Sequence, residues 1–293
     1  MKRLIVNADD FGLTSGVNSA ITQLHAAGRL TSTTLMANAA ATEEAINDAH
    51  ATPTLGVGCH VVLVDGTPVL PPRELPTLVN PQTGQFRHTL GRFVRDLLLG
   101  RIRKEEIAAE AAAQIQRLQA RRVSLTHIDT HKHTHIFPAV LEPLLHAATR
   151  CGIASVRNPF EPQWSIAATR NAPALRRLQV HLLNRMRSGF LERVRSSGLA
   201  TTDGAIGVLA TGTLDADTIA ALLTAMPDGA WELVTHPGYA DNALQNAGTR
   251  LIASRAVELA ALQNMQASAS TQWIHFGQLQ ESGRSQQVGA MQR

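Results

Sequence analysis

Residues 3–12, Arg-Leu-Ile-Val-Asn-Ala-Asp-Asp-Phe-Gly, indicate which fold class to expect for this chain. The first six residues form a short apolar run typical of a strand, and the run stops at two adjacent carboxylates, Asp9 and Asp10. Thr14 follows as a candidate N-cap of a helix that Gly28 would end. A strand followed by a helix is the unit of a parallel sheet with helical crossovers.

The same alternation continues along the chain, with helices predicted between further strands. Those strands are predicted near residues 33–37, 55–64, 124–129, 153–157, 205–209, 230–235 and 272–276. About eight strands with helical crossovers predict an α/β fold, a distorted TIM-barrel-like (β/α) barrel rather than an open sheet. We expect one domain over residues 1–278. Residues 279–293, rich in Gln, Ser and Gly, are predicted to be a disordered tail.

The composition bounds the class of protein. The chain has 293 residues, 44% of them hydrophobic, and a formal net charge of +4, which suits one large α/β domain. Two cysteines, Cys59 and Cys151, imply no disulfide framework and suit a reducing compartment. No stretch reaches the roughly 18–20 apolar residues of a membrane span, and residues 1–8 do not resemble a signal peptide. We therefore expect a cytoplasmic protein.

A proline-rich segment, residues 65–89, interrupts the alternation after the third predicted strand. It contains five of the 13 prolines of the chain. A loop of this length inside a compact domain is usually a functional lid or a binding loop. A tolerated surface insertion is the alternative.

A histidine-rich stretch, residues 126–138, reads Thr-His-Ile-Asp-Thr-His-Lys-His-Thr-His-Ile-Phe-Pro. Alternate side chains of an extended strand share one face, so these groups could converge on one ion if the backbone is extended. Imidazole and carboxylate groups suit Zn²⁺ and its first-row neighbours. A solvated loop or a tag fragment is the alternative, although a tag would stand at a terminus. The alternating residues are His127, Asp129, His131, His133 and His135.

Other polar residues fall at the carboxyl ends of predicted strands, where barrels collect their catalytic groups. Asp9 and Asp10 end the first strand, His60 the third, Arg157 the fifth and His236 the seventh. One Asp of an adjacent pair would bind a metal, and the other would act as general base with Arg157 as a partner. His236, before a rigid Pro-Gly-Tyr turn, could protonate a leaving group, with a structural role as the alternative.

With these residues assembled, the chain resembles the YdjC-like carbohydrate deacetylases. The matching stretches of the first half, in order, are 5–12, 31–34 (Thr-Ser-Thr-Thr), 56–60 (Gly-Val-Gly-Cys-His) and 126–138. Three further stretches are similar to the hopanoid-biosynthesis (HpnK-type) branch. They are 64–72 (Val-Asp-Gly-Thr-Pro-Val-Leu-Pro-Pro), 156–162 (Val-Arg-Asn-Pro-Phe-Glu-Pro) and 232–239 (Glu-Leu-Val-Thr-His-Pro-Gly-Tyr).

This resemblance implies hydrolytic removal of acetyl from an N-acetylated sugar by a metal-activated water. Asp10, His60 and His131 match the metal ligands of the family, and Asp9 matches its general base. His236 stands where related deacetylases place a general acid. The implied cofactor is one divalent metal ion, Zn²⁺ first, with Mg²⁺, Co²⁺ and Ni²⁺ as alternatives.

Further roles follow from the same resemblance. Arg157 would orient the general base. His133 and His135 would stand near the site rather than on the metal, and with Asn158 and Tyr239 they are predicted to contact the substrate. For the hopanoid branch, that substrate would be an N-acetylglucosaminyl lipid with a hopane tail.

Residues 174–198 are predicted to form one long amphipathic helix, in which apolar residues recur at spacings of three and four. Such a helix could lie in a membrane interface, at the inner membrane surface, or line a groove for the lipid tail. A helix that only packs on the barrel is the alternative. No nucleic-acid partner is expected, because aromatic residues are not interleaved with the arginines. The apolar residues are Leu175, Leu178, Leu182, Met186, Phe190 and Val194, and the arginines are Arg176, Arg177, Arg185, Arg187, Arg193 and Arg195.

Three other functions stay open at this point. One is deacetylation of soluble chito-oligosaccharides. A second is another barrel metallohydrolase, such as an amidohydrolase or phosphoesterase, although those typically begin with His-x-His on the first strand. The third is a non-enzymatic role as a membrane-peripheral lipid carrier or metal-binding protein.

Overall fold

The computed structural model describes residues 1–170, 172–266 and 268–279. Its strands form one curled parallel sheet, an α/β half-barrel. A path of six strands runs β4-β3-β2-β1-β6-β5, and β7 pairs with the first residues of β1. The strands are β1 (Lys2–Phe11), β2 (Ser32–Leu35), β3 (Gly56–Val61), β4 (Leu125–Thr130), β5 (Gly204–Ile206), β6 (Gly229–Thr235) and β7 (Thr271–Trp273).

Helices fill the connections between the strands. The predicted N-cap is confirmed, because Thr14 Oγ1 accepts a hydrogen bond of 3.2 Å from the Val17 N–H. None of the helices in the described residues combines the length and apolar character that a membrane-spanning segment needs. The helices are α1 (Ser15–Ala26), α2 (Thr42–Ala51), α3 (Leu90–Leu98), α4 (Lys104–Ala120), α5 (Pro138–Arg150), α6 (Gln163–Ala168), α7 (Ala174–Leu183), α8 (Arg187–Ser197), α9 (Ala216–Ala225), α10 (Asn242–Asn246) and α11 (Ala253–Gln263).

The strand predicted at 153–157 is present only as isolated bridges. Ile128 pairs with Val156 and Ser155 with Ala200, both in parallel. The backbone N–H of Arg157 still donates to the Ile128 carbonyl at 3.0 Å, and Pro159, which follows shortly, has no N–H to donate. The described part of the chain therefore has seven strands rather than the eight predicted. The bridges nevertheless place Arg157 beside the carboxyl end of β4.

One helix prediction was wrong in its bounds. The segment 174–198 is not one helix, because a 3₁₀ turn at Asn184–Met186 separates α7 from α8. The side chain of Asn184 donates a hydrogen bond of 2.8 Å to the carbonyl of Glu161, which ties this turn to the loop before α6.

The proline-rich segment 65–89 is anchored to α4 by two glutamates. The Glu110 carboxylate accepts hydrogen bonds from the N–H groups of Val69 and Leu70 at 2.8 and 3.0 Å. Glu106 accepts two more, at 2.8 and 2.9 Å, further along the segment. The segment is thus part of the packed domain rather than a loose insertion. Its buried side chains are Leu75, Leu78, Val79 and Phe86.

The two faces of strand β1 differ: one packs in the apolar core, and the other carries polar side chains. Leu4, Val6 and Ala8 belong to the large apolar core. Asn7 and Asp9 point to the opposite face, where the Asn7 side chain donates a hydrogen bond of 2.9 Å to Asp9 Oδ1. The predicted tail, apart from Leu279, lies outside the described residues.

Candidate active site

Asp9 and Asp10 reach one site because the strand that carries them is irregular. Neighbouring side chains of a regular strand point to opposite faces. The pairing of β1 with β2 shifts between Ala8 and Phe11, and Asp10 has a φ of 68°. A left-handed backbone is uncommon for a residue other than glycine, and such conformations cluster at functional sites. It turns the buried Asp10 carboxylate toward the carboxyl ends of the strands.

Asp10, His60 and His131 form a group that could hold a metal ion, which we call the ligand cluster. Asp10 Oδ1 lies 3.4 Å from His60 Nε2 and 3.3 Å from His131 Nδ1. The two histidine nitrogens are 3.3 Å apart. Ligand atoms about 2.0–2.1 Å from a tetrahedral Zn²⁺ stand roughly 3.3–3.4 Å from one another. The three atoms therefore have the spacing of three corners of such a site, which leaves room for water or substrate.

An unsatisfied polar atom also fits a metal. Asp10 Oδ1 is buried and has no hydrogen-bond partner among the described residues. Burial alone would raise the pKa of Asp10, but Arg255 holds it well below its usual value. An ionised oxygen without a donor is costly inside a protein unless a cation compensates it. A divalent ion in the ligand cluster would supply that compensation.

A second group, Asp9, His60 and Asp129, also brings three potential ligand atoms together. Its carboxylates are already engaged by Arg157, which donates to Asp9 Oδ1 at 2.6 Å and to Asp9 Oδ2 at 2.8 Å. The same guanidinium donates to Asp129 Oδ2. A metal here would have to displace a fully buried guanidinium, so the ligand cluster is the better candidate.

Two further side chains orient the ligand cluster. Asp129 Oδ1 lies 2.8 Å from His60 Nδ1, which leaves Nε2 of that ring for a metal. Arg255 donates from Nη2 to Asp10 Oδ2, and leaves Oδ1 free. Partners of this kind fix the orientation and basicity of metal ligands.

Sequence reasoning missed Arg255, which is fully buried on α11. A signal for it exists in the helix pattern. Arg255 and Glu258 occupy the same face as Leu259 and Leu262, and all four are buried. Charged residues on the buried face of an amphipathic helix are rare unless they are paired.

The surroundings of His60 are strongly negative. Burial alone would lower the pKa of His60, but the charge of Asp129, the nearby Asp10 carboxylate and the hydrogen bond with Asp129 raise it to about 10. A metal ion requires the neutral imidazole and would take the place of the proton. The same negative field that favours the proton favours a cation.

Arg157 is fully buried and balances three carboxylates. In addition to Asp9 and Asp129, it donates from Nε to Glu232 Oε1 at 2.8 Å. Burial alone would raise the pKa of Asp9, but Arg157 holds it well below its usual value. Burial raises the pKa of Glu232 to about 7 despite the same arginine. Asp9 therefore stays ionised, and the contact expected between it and Arg157 is present.

His236 follows β6, and its ring lies near the Asp9 carboxylate. Its Nε2 is 3.8 Å from Asp9 Oδ2, and its backbone N–H donates to Glu258 Oε2 at 2.6 Å. Burial lowers the pKa of His236 to about 4. The ring is close enough to Asp9 for both groups to face one small substrate group.

The histidines of 126–138 do not align on one face, because the extended backbone ends at Thr130. Residues His131–Ile136 form 3₁₀ turns with left-handed φ values of 59° at Lys132 and 51° at His133. Only His131 joins the ligand cluster. His127 is buried and stacks on Phe276, with ring centroids 3.8 Å apart.

Two of the predicted substrate contacts, His133 and His135, lie beside the site. Burial lowers the pKa of His133 to about 3, and its Nδ1 has no hydrogen-bond partner among the described residues. His135 is fully buried, with Nδ1 2.7 Å from Thr130 Oγ1. Their contact with a substrate stays a prediction.

The other two predicted contacts are engaged elsewhere. Asn158 is buried and donates a hydrogen bond of 3.0 Å to the carbonyl of Thr202. Tyr239 is exposed, and its hydroxyl donates to Gln23 Oε1 at 2.6 Å. Their role as substrate contacts also stays a prediction.

The fold and the site together define the class of protein: an α/β protein whose parallel sheet carries a candidate metal centre at the carboxyl ends of its strands. A family model described as YdjC-like protein matches residues 3–272. The chain therefore belongs to the YdjC-like protein family.

Relatives of known name agree with this assignment. A carbohydrate deacetylase of Brevibacillus brevis is 33% identical over 279 residues, covering 95% of this chain and 96% of that protein. A chitooligosaccharide deacetylase of Salmonella dublin is 38% identical over 162 residues, 52% of this chain and 57% of that protein. A solved structure from Enterococcus faecalis, named for a proposed cleavage of cellobiose phosphate, has a TM-score of 0.71 and 25% identity. It covers 90% of this chain and 91% of its own.

Replacing Arg255 by Gln is expected to weaken metal binding about 10–100-fold, because Asp10 loses the charged donor that orients it. Calorimetric titration of metal-free protein with Zn²⁺ measures the Kd. Arg255→Lys is the matched control and should recover part of the affinity, since it keeps the charge but not the planar fork. An unchanged Kd in Arg255→Gln would show that Arg255 does not support the ligand.

Proposed function

We propose that this chain is a metal-dependent carbohydrate deacetylase, a hydrolase that removes acetyl from an N-acetylglucosamine unit. The observation that carries the proposal is the ligand cluster, with its three atoms 3.3–3.4 Å apart, next to the ionised Asp9. The names of the relatives, carbohydrate deacetylase and chitooligosaccharide deacetylase, support the same reaction class.

In the proposed reaction, water attacks the acetyl carbonyl carbon, the C–N bond breaks, and acetate and a free amine leave. A divalent ion in the ligand cluster, proposed to be Zn²⁺, would polarise the carbonyl and lower the pKa of the attacking water. Asp9 accepts the proton of that water, and Arg157 keeps Asp9 ionised and in place. His236, whose Nε2 lies 3.8 Å from Asp9 Oδ2, takes up this proton from Asp9 and donates it to the departing amine.

The proposed substrate carries its N-acetylglucosamine on a hopane lipid, as in N-acetylglucosaminyl bacteriohopanetetrol. Support comes from the stretches 64–72, 156–162 and 232–239, which are similar to the hopanoid-biosynthesis branch. Soluble chito-oligosaccharides are the second candidate, because a relative is named for them.

The segment 65–89 is proposed to form one wall of the substrate site in a single domain over residues 1–278. Lys132 Nζ lies 2.8 Å from Asp65 Oδ2, and Lys132 directly follows the ligand His131. This ion pair ties the first residue of the segment to the rim of the ligand cluster. We further propose that the half-barrel is a distorted (β/α) barrel, continued by the bridges at 155–156 and 200.

Turnover of two substrates tests the reaction and the aglycone together. We expect kcat/KM for hopane-linked N-acetylglucosamine to exceed that for soluble chito-oligosaccharide by about tenfold or more, because binding of the lipid can be used in the transition state. Equal or faster turnover of the soluble sugar would favour the second candidate. Bound metal without acetate release from either substrate would contradict the deacetylase proposal.

A further inference from the structure

The helix α7 carries an apolar face that no other part of the described chain covers. Leu175, Leu178 and Leu182 are 68%, 54% and 47% exposed. Their spacings of three and four place them on one side of the helix. No residue of α7 is buried, whereas Phe190 and Val194 of α8 are buried in the core. Only the first half of the segment 174–198 therefore leaves its apolar face in solvent.

Polar contacts hold α7 in place instead of apolar packing. Arg176 donates hydrogen bonds of 3.0 Å to the carbonyls of Val208 and Thr211. Arg177 donates at 2.8 Å to the carbonyl of Ile166, before the start of α7. Residues 208–211 follow the carboxyl end of β5. In a parallel sheet this is the edge at which the ligand cluster lies, so α7 stands on the same side of the molecule as the candidate site.

The charged side chains of the segment that contains α7 have one sign. Residues 170–191 contain five arginines and no acidic residue. Arg170, Arg185 and Arg187 are exposed. Arginines near an anionic membrane are attracted to its negatively charged headgroups. A short helix with an apolar face and basic neighbours is the form that lies in a membrane interface.

We propose that α7 docks this chain on the surface of an anionic lipid bilayer. The leucine face enters the boundary between headgroups and acyl chains, and the surrounding arginines contact lipid phosphates. Docking in this way brings the edge that carries the ligand cluster toward the membrane. Docking would give the proposed deacetylase access to a lipid-linked sugar, and only this purpose rests on the proposed function. The test of docking needs no substrate.

Co-sedimentation with vesicles tests the docking. Wild-type protein is expected to bind vesicles that contain phosphatidylglycerol and to bind phosphatidylcholine vesicles at least about tenfold more weakly, with loss of binding at high salt. The variant Leu175→Gln/Leu178→Gln/Leu182→Gln should bind the anionic vesicles at least about tenfold more weakly than wild type. A charge variant, Arg185→Glu/Arg187→Glu, should also lose binding.

The matched control removes two other exposed leucines. Leu98 and Leu99, at the end of α3, are 74% and 57% exposed. The variant Leu98→Gln/Leu99→Gln should bind anionic vesicles as wild type does. Far-UV circular dichroism and the midpoint of urea unfolding should be the same in all the variants, which shows that each is folded.

Three outcomes would overturn the docking proposal. They are wild-type protein that stays in the supernatant, a triple leucine variant that binds as wild type does, and a control variant that loses binding equally. A fourth outcome would come from light scattering. If wild-type protein were a dimer in solution and only the triple leucine variant were a monomer, a second copy of the chain would cover the leucine face. Vesicle binding without acetate release would remove the proposed reaction and leave the docking intact, and the reverse result would remove only the docking.

Discussion

Asp9→Asn is expected to lower acetate release by about 10²–10⁴-fold and to leave metal content unchanged. The amide cannot accept the proton of the attacking water, and general-base catalysis contributes rate factors of that size. Metal content should survive because the ligand cluster consists of Asp10, His60 and His131. Acetate release from N-acetylglucosaminides measures the first quantity, and mass-spectrometric metal analysis measures the second.

The matched control for this prediction is Asp129→Asn. The buried Asp129 carboxylate also accepts a hydrogen bond from Arg157. Its Oδ1 forms a hydrogen bond with His60 Nδ1 and so orients that ring. Its replacement should weaken Zn²⁺ binding about 10–100-fold. The two variants thus distinguish the general base, Asp9, from a residue that orients a metal ligand, Asp129. Loss of metal in Asp9→Asn would instead select the group of Asp9, His60 and Asp129 as the metal site.

Arg157→Leu is expected to lower the free energy of unfolding by about 3–5 kcal/mol. It leaves the carboxylates of Asp9, Asp129 and Glu232 without the cation that all three contact. All three are buried, so water cannot compensate for the lost partner. Urea unfolding of the metal-free proteins measures the difference.

The same variant should show a characteristic pH dependence. Without Arg157, burial raises the pKa of Asp9 and of Glu232 above their values in the unfolded chain, so the folded state binds more protons. Stability of the variant then falls as the pH rises, and its deficit should be larger at about pH 8 than at about pH 5.5.

Arg185→Leu removes an exposed arginine and serves as the control, with an expected change within about 0.5 kcal/mol. If Arg157→Leu unfolded at the same urea concentration as wild type, another group would have to balance the three carboxylates.

Much of the candidate site was accessible from the sequence because it depends on strand ends. Asp10 and His60 were placed by the rule that parallel strands bring their carboxyl ends to one edge, and the resemblance singled out His131. The residues that orient the metal ligands were harder to predict from the sequence. Asp129 meets His60 across 69 residues of chain, and Arg255 meets Asp10 across 245. No local pattern pairs residues so far apart.

Local patterns were enough to predict the alternation of strands and helices and the polar residues that end the strands, because hydrophobic periodicity and capping are local properties. Three features became visible only in the folded chain: the left-handed backbone of Asp10, the 3₁₀ turns that keep His133 and His135 out of the ligand cluster, and the exposure of α7 beside the buried side chains of α8. Periodicity shows which side chains share a face of an element. What that face contacts depends on segments distant in the chain, and therefore on how the whole sheet curls.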